Sequence, residues 1–217
     1  MKTYPWLNKE YIPETVILAN GEFPTHSLPV TLLNNSQYTI CCDGAVEMYV
    51  QAGYIPSAIV GDLDSLDNNN KHKFASILYP DKDQETNDLT KAFHFCLKQN
   101  RKKISILGAT GKREDHTLAN ISLLADYMDH AQVEMVTDYG IFTPISLTSE
   151  IECLPGQPIS LFCMDLYPIT TIGLKYPLYE RIVTRWWQAT LNEALANKFI
   201  IQTKGKVIVF RGYLPNL

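Results

Sequence analysis

The sequence is poor in cysteine, lacks any Cys-x-x-Cys pair, carries no basic excess and contains no long apolar run. Five cysteines, an odd number, argue against a disulfide framework, and their spacing argues against a zinc site. The adjacent Cys41 and Cys42 follow Ile40 and read as strand residues in a reducing compartment. A formal net charge of −4 gives a nucleic-acid partner no electrostatic support. Met1 to Pro13 holds no apolar run of signal-peptide length, and no membrane span follows, so a cytoplasmic protein is expected. Internal repeats and low-complexity tracts are absent.

What is present is an ordinary globular composition, 46% apolar over 217 residues, enough for one large domain or two modest ones. Strand-like runs alternate with helical patterns as far as Val136. Thr15–Ala19, Tyr38–Cys42, Ala58–Val60, Phe74–Tyr79, Ile104–Leu107 and Gln132–Val136 are the expected strands. Three helices are expected between them. One buries Ala45, Met48, Tyr49 and Ala52 and stops at Gly53; one follows Thr86 and buries Leu89, Ala92, Phe93, Cys96 and Leu97. The third starts near Asp115 and buries Leu118, Ile121, Ala125 and Met128. Strands separated by such helices imply a parallel sheet. Beyond Tyr139 the pattern changes to short runs broken by Pro and Gly, with Ile182–Ala189 expected as a strand and a helical turn at Leu191–Ala196. The fold class expected is α/β: an N-terminal doubly wound, mostly parallel sheet domain (1–139) plus a C-terminal antiparallel β-sandwich domain (140–217).

Open parallel sheets bind ligands at the carboxyl ends of their strands. Polar residues collect at those ends: Asn20-Gly21, Asp43-Gly44, Gly61-Asp62-Leu63-Asp64-Ser65, and Gly108 to Asp115. The Asp62/Asp64 pair fits a Mg²⁺ site, since that ion takes one or two carboxylates plus waters and phosphate oxygens. Taken alone, it is better described as a capped acidic turn. Asp88, immediately before a helix, reads either as a cap or as a third carboxylate of the same crevice. Gly108-Ala109-Thr110-Gly111-Lys112-Arg113 is not a Walker A loop, yet a glycine-rich strand-to-helix turn presents N–H groups to an anion. Arg113 adds a fork-shaped phosphate donor, and Asp115 is placed to cap the helix. Trp186 and Trp187 are expected on opposite faces of a strand.

Read in order, these segments, with Asp83-Gln84-Glu85-Thr86-Asn87-Asp88, Asp115-His116-Thr117-Leu118-Ala119-Asn120 and Gly173-Leu174-Lys175-Tyr176-Pro177-Leu178, resemble the thiamine pyrophosphokinase family. The resemblance implies transfer of pyrophosphate from ATP to the thiamine hydroxyl, releasing AMP, by a homodimer that binds thiamine between subunits. It implies Asp62, Asp64 and Asp88 as Mg²⁺ ligands and, with Arg113, as the catalytic set. Asn20, Gly21, Asp43, Gly44, Gly108, Thr110, Gly111, Arg113, Asp115 and His116 are implied at the nucleotide, and Gln84, Asp88, Tyr176 and Asn192 at thiamine. Two positions depart from the family: Asn87 stands where Thr is usual, and Leu191 precedes Asn192 where Ser is usual. Two rival readings are a pyrophosphokinase for another alcohol, such as a hydroxymethylpterin, and a non-catalytic nucleotide- or thiamine-binding regulator.

Overall fold

The computed structural model describes residues 1–214. The chain forms two compact units, one from Lys9 to Asp138, the other from Met1–Asn8 and the chain from Tyr139 onward. The first eight residues thus belong with the β unit, not with the α/β part where the sequence reading put them. The reason is pairing: strand β1 (Lys2–Tyr4) lies parallel to β9 (Ser149–Glu152). The buried Arg211 reinforces it, donating to Pro5 O and Glu152 O at 2.9 and 2.8 Å.

In the α/β unit the strands are β2 (Thr15–Leu18), β3 (Thr39–Cys42), β4 (Ala58–Gly61), β5 (Leu78–Pro80), β6 (Lys103–Leu107) and β7 (Gln132–Val136). They run in the order β7-β6-β2-β3-β4-β5, all parallel. Every residue of β2, β3 and β4 is buried, as unbroken apolar runs in a covered parallel sheet must be. The order winds outward in both directions from β2, the doubly wound arrangement.

The helices are α1 (Ser27–Asn35), α2 (Val46–Gln51), α3 (Asn68–Lys73), α4 (Asp88–Lys98) and α5 (Glu114–Tyr127). Helix α4 buries Leu89, Ala92, Phe93 and Cys96 against β2, β3 and β4, the stripe expected from its period. Three expectations fail in detail. In the expected strand Phe74–Tyr79, Phe74 closes α3 and Ala75–Ile77 is a 3-10 turn, so the extended residues begin only at Leu78. Asp67 caps the unexpected α3, its Oδ1 accepting from Asn70 N–H at 2.8 Å. Helix α2 buries Val46 and Tyr49 beside Ala45 and leaves Met48 exposed, because a 3-10 turn at Asp43–Ala45 rotates its entry. Helix α5 buries Leu124, Ala125 and Tyr127, whereas Leu118 is exposed.

The β unit continues with β8 (Gly140–Ile145), β9, β10 (Pro158–Cys163), β11 (Pro168–Ile172), β12 (Arg181–Ile182), β13 (Asn192–Glu193), β14 (Lys198–Gln202) and β15 (Val207–Gly212). One sheet has the order β1-β9-β14-β11-β12; β13-β10-β15-β8 pair antiparallel in the other. Ile151, Ile169, Phe199 and Ile201 of the first meet Ile145, Ile159, Leu161 and Val209 of the second in one apolar core. Trp186 and Trp187 lie in a 3-10 turn (Trp186–Ala189), not a strand, and both are exposed. Leu191–Ala196 is not helical: Asn192–Glu193 is a short strand and Ala194 a bridge to Leu174. Among the described residues no helix is long and apolar enough to cross a membrane.

Candidate functional site

β2 has β3 on one side and β6 on the other, so the sheet's switch point lies at their carboxyl ends. The two exits are bound together by backbone: Gly21 N–H donates to Gly108 O at 2.6 Å, and Glu22 N–H to Thr110 O at 2.8 Å. A Cβ at Gly21 would stand 2.4 Å from Thr110 O and 2.5 Å from Gly108 O, so this position must be glycine for the two exits to approach; at Gly44 a Cβ would meet the Asn20 side chain, 2.0 Å from Nδ2. Lys112 Nζ closes the arrangement by donating to Asn20 Oδ1 and O at 3.1 and 3.3 Å.

A cavity of about 480 Å³ opens over these strand ends. Of the residues expected from the sequence, Asn20, Gly21, Asp62, Gln84, Asp88, Gly111, Arg113 and His116 line it. Gly108 and Thr110 shape its walls through the backbone contacts just described, and Gly44 lies against the Asn20 side chain. Lys91, passed over in the sequence, lines it too, as do Lys112 and Asn120 of the segments quoted above.

The acidic floor is built from three strand ends or helix starts. Asp43 is 1% exposed; its Oδ2 accepts from Ser65 N–H at 3.2 Å, and no donor reaches its buried Oδ1. Burial raises its pKa, the Ser65 amide opposes this, and Asp62 and Asp88 push it further up. Gly61 brings the three together: a Cβ there would lie 2.6 Å from Asp43 Cβ and 3.4 Å from Asp88 Oδ1. Asp64 lies on the exposed side of the turn, its N–H donating to Asp62 Oδ1 at 3.1 Å. The carboxylates gathered in space are therefore Asp43, Asp62 and Asp88.

Asp88 is the first helical residue of α4, not its cap. Asn87 takes that role, its Oδ1 accepting from Thr90 N–H at 2.9 Å. The departure from Thr has a structural use, since Asn87 Nδ2 also donates to Asn120 Oδ1 at 3.2 Å, and Asn120 Nδ2 to Ala109 O at 2.8 Å. The start of α4 is thereby tied to α5 and the glycine-rich turn. Lys91, one helical turn on, is 4% exposed and places Nζ 3.1 Å from Asp88 Oδ1. Desolvation is the largest influence on Lys91 and pulls its pKa down, but Asp88, Asp62 and Asp81 outweigh it, leaving it above an ordinary lysine. The sequence signal was there: Lys91 follows Asp88 at i,i+3 on α4.

Asp115 does not cap α5. Its carboxylate takes a two-point contact from Arg113, Nε to Oδ1 at 3.1 Å and the terminal nitrogen to Oδ2 at 2.6 Å. That partner holds Asp115 down to about 2 and raises Arg113. Both side chains are about two-thirds exposed, so the pair orients Arg113 more than it stabilises the fold.

In the β unit, Tyr176 is 62% exposed and Asn192 is buried. Asn192 Oδ1 accepts from Tyr176 N–H at 3.0 Å and its Nδ2 donates to Tyr176 O at 2.7 Å. Its amide is occupied in shaping the Tyr176 segment. Leu191 is 88% exposed at φ +58°.

Among the described residues no group of three or more His, Cys, Asp or Glu side chains is arranged to hold a metal ion. Asp88 engages Lys91 through one oxygen and Asp62 accepts from an amide. The donor chemistry still suits Mg²⁺, which needs few protein oxygens, and the buried Asp43 Oδ1 is an acceptor without a donor.

Residues 30–137 match the model of the thiamin pyrophosphokinase catalytic domain, and residues 140–210 that of the thiamin pyrophosphokinase substrate-binding domain. Thiamine pyrophosphokinase 1 of Oryza sativa subsp. japonica is 32% identical over 194 residues, covering 75% of this chain and 73% of that protein. Thiamin pyrophosphokinase 1 of Caenorhabditis elegans is 25% identical over 221 residues, 94% and 86% of the two chains. The fold is shared with the crystal structure of thiamine pyrophosphokinase from Bacillus subtilis, with TM-score 0.76, 22% identity and coverage of 91% and 98%. It is shared as well with thiamin pyrophosphokinase from Candida albicans, with TM-score 0.78, 20% identity and coverage of 93% and 90%. With both domain models matched in sequence order and a relative above 30% identity, the chain belongs to the thiamin pyrophosphokinase family of enzymes.

Proposed function

We propose that this chain transfers the β,γ-pyrophosphoryl group of ATP to the hydroxyethyl oxygen of thiamine, giving thiamine diphosphate and AMP. The observation that carries the reading is an acid-floored cavity at the sheet's switch point, most of whose lining falls in the stretch matching the catalytic domain. The alcohol oxygen forms a bond to the β-phosphorus, the bond from that phosphorus to the bridging oxygen of AMP breaks, and the alcohol proton is lost.

Asp62 and Asp88, backed by Asp43 and with Asp64 on the same turn, would hold Mg²⁺. Bound there, Mg²⁺ supplies charge neutralisation on polyphosphate oxygens, the main requirement of such a transfer. Asn20, Gly21, Asp43, Gly44, Gly108, Thr110 and Gly111 frame the nucleotide; His116 and Arg113, steered by Asp115, reach its phosphates. Gln84 and the exposed Tyr176 ring contact thiamine, and Asn192 fixes the Tyr176 backbone. We assign the working form as a homodimer of the cytoplasm with small-molecule substrates and no nucleic acid.

Incubation with ATP, Mg²⁺ and a panel of alcohols tests the reading: AMP is to appear with thiamine. AMP formed only with a hydroxymethylpterin would transfer the assignment to that alcohol, and none with any alcohol would leave a binding protein. Asp62→Asn is expected to abolish turnover with the melting temperature retained; near-normal turnover would remove Asp62 from the metal set.

A further inference from the structure

Lysine is almost never fully buried unless paired, yet Lys91 lies on the packed face of α4 with 4% of its side chain exposed. Its position follows from helix geometry. Asp88 and Lys91 are i,i+3 neighbours, and α4 packs on β3 and β4, whose carboxyl ends carry Asp43 and Asp62. Its ammonium therefore sits 3.1 Å from Asp88 Oδ1, within the field of Asp62 and Asp81, and its side chain lines the cavity. One positive charge is thus built permanently into the cluster that a divalent cation would enter.

We propose that Lys91 is a positioning residue that keeps the bare carboxylate cluster a weak divalent-cation site, so that metal enters with the nucleotide phosphates rather than alone. The proposal rests on the reading of Asp62 and Asp88 as metal ligands. A fixed charge roughly 5 Å from a divalent ion opposes binding by at least about tenfold even with the screening of bulk water. Nucleotide reverses the balance, because its phosphates add the negative charge that Lys91 cancels. A purely structural role for Lys91, neutralising Asp88 so that α4 can pack, carries the opposite sign: without it, Asp88 would be mispositioned and metal would bind more weakly.

Mn²⁺ binding followed by electron paramagnetic resonance, with and without α,β-methylene-ATP, separates these cases. Wild type is expected to bind Mn²⁺ weakly alone and more tightly with the nucleotide analogue. Lys91→Met, which keeps the stem and removes the charge, is expected to bind Mn²⁺ alone at least about tenfold more tightly than wild type. Its melting temperature should fall in EDTA and recover with Mn²⁺, since the ion replaces the lost cation. Lys91→Arg is to retain the wild-type metal affinity. Unchanged or weaker Mn²⁺ binding by Lys91→Met overturns the proposal, as does a variant that fails to fold with Mn²⁺ present, or an arginine variant that behaves like the methionine one. Absence of Mn²⁺ binding by wild type even with the analogue would instead overturn the metal reading on which the proposal rests.

Discussion

Gly61→Ala tests the site at the point where its geometry is tightest. The added methyl would stand 2.6 Å from Asp43 Cβ and 3.4 Å from Asp88 Oδ1. Carbon atoms pack at about 3.5–4.0 Å, so the end of β3 and the end of β4 must separate by about 1 Å. Neither can yield cheaply. Asp43 is buried and held by Ser65 N–H, and β3 and β4 are paired in the middle of the sheet. Overpacking of this kind costs about 1–3 kcal/mol, and for a chain of this size each kcal/mol lowers Tm by about 2–4 °C. The same shift pulls Asp43 and Asp62 away from Asp88, so divalent-metal binding in the presence of nucleotide should weaken more than the stability loss alone explains. Gly53→Ala is the matched control. Its Cβ meets nothing within 4 Å, but its φ is +89°, so it should lose about 1 kcal/mol to backbone strain with metal binding intact. The assay is thermal denaturation of both variants beside a metal titration. Equal metal affinities in the two variants, or a Gly61→Ala protein as stable as wild type, would refute the claim that close approach at Gly61 assembles the carboxylates.

Two further outcomes are expected. Asp43 has a folded-state pKa raised above its unfolded value of about 3.9, chiefly by burial, so its ionisation costs the folded state stability as pH rises through that raised pKa; in EDTA, Asp43→Asn should gain stability relative to wild type, more at pH 7 than at pH 4, and a difference in Tm that does not change with pH would contradict this. Leu191 holds φ +58° while 88% exposed, an uncommon backbone for leucine that asparagine tolerates; Leu191→Asn should raise stability by about 0.5–1 kcal/mol, and a lower unfolding midpoint in denaturant would show that the leucine makes a compensating contact.

Much of the scaffold was legible because it depends on local repetition. The unbroken apolar runs of β2, β3 and β4 announce covered parallel strands, and the spacing of Leu89, Ala92, Phe93 and Cys96 announces the buried face of α4. The strand-end motifs were legible for the same reason, since glycine and aspartate mark where a strand stops. Errors arose where a neighbour overrides the local pattern. Phe74–Tyr79 has strand-like composition, yet the helix that Asp67 caps closes on Phe74 and runs into a 3-10 turn at Ala75–Ile77. Leu118 falls on the period of α5 but is exposed. Trp186 and Trp187 alternate on paper and share a 3-10 turn in space.

The sequence by itself determined which chemistry is available: carboxylates, a glycine-rich turn and one arginine, placed at the ends of parallel strands. Only the tertiary structure decided which of them act together. Asp62 and Asp64 are two residues apart, but the backbone that joins them leaves Asp64 on the exposed side of the turn. Asp43 and Asp88, 19 residues before Asp62 and 26 after it by number, reach the same floor because β3 lies beside β4 and α4 packs over both. Lys91 joined them in part for the same reason: its i,i+3 pairing with Asp88 follows from the helix period alone, but helix packing buries it and sheet order brings Asp62 and Asp81 near.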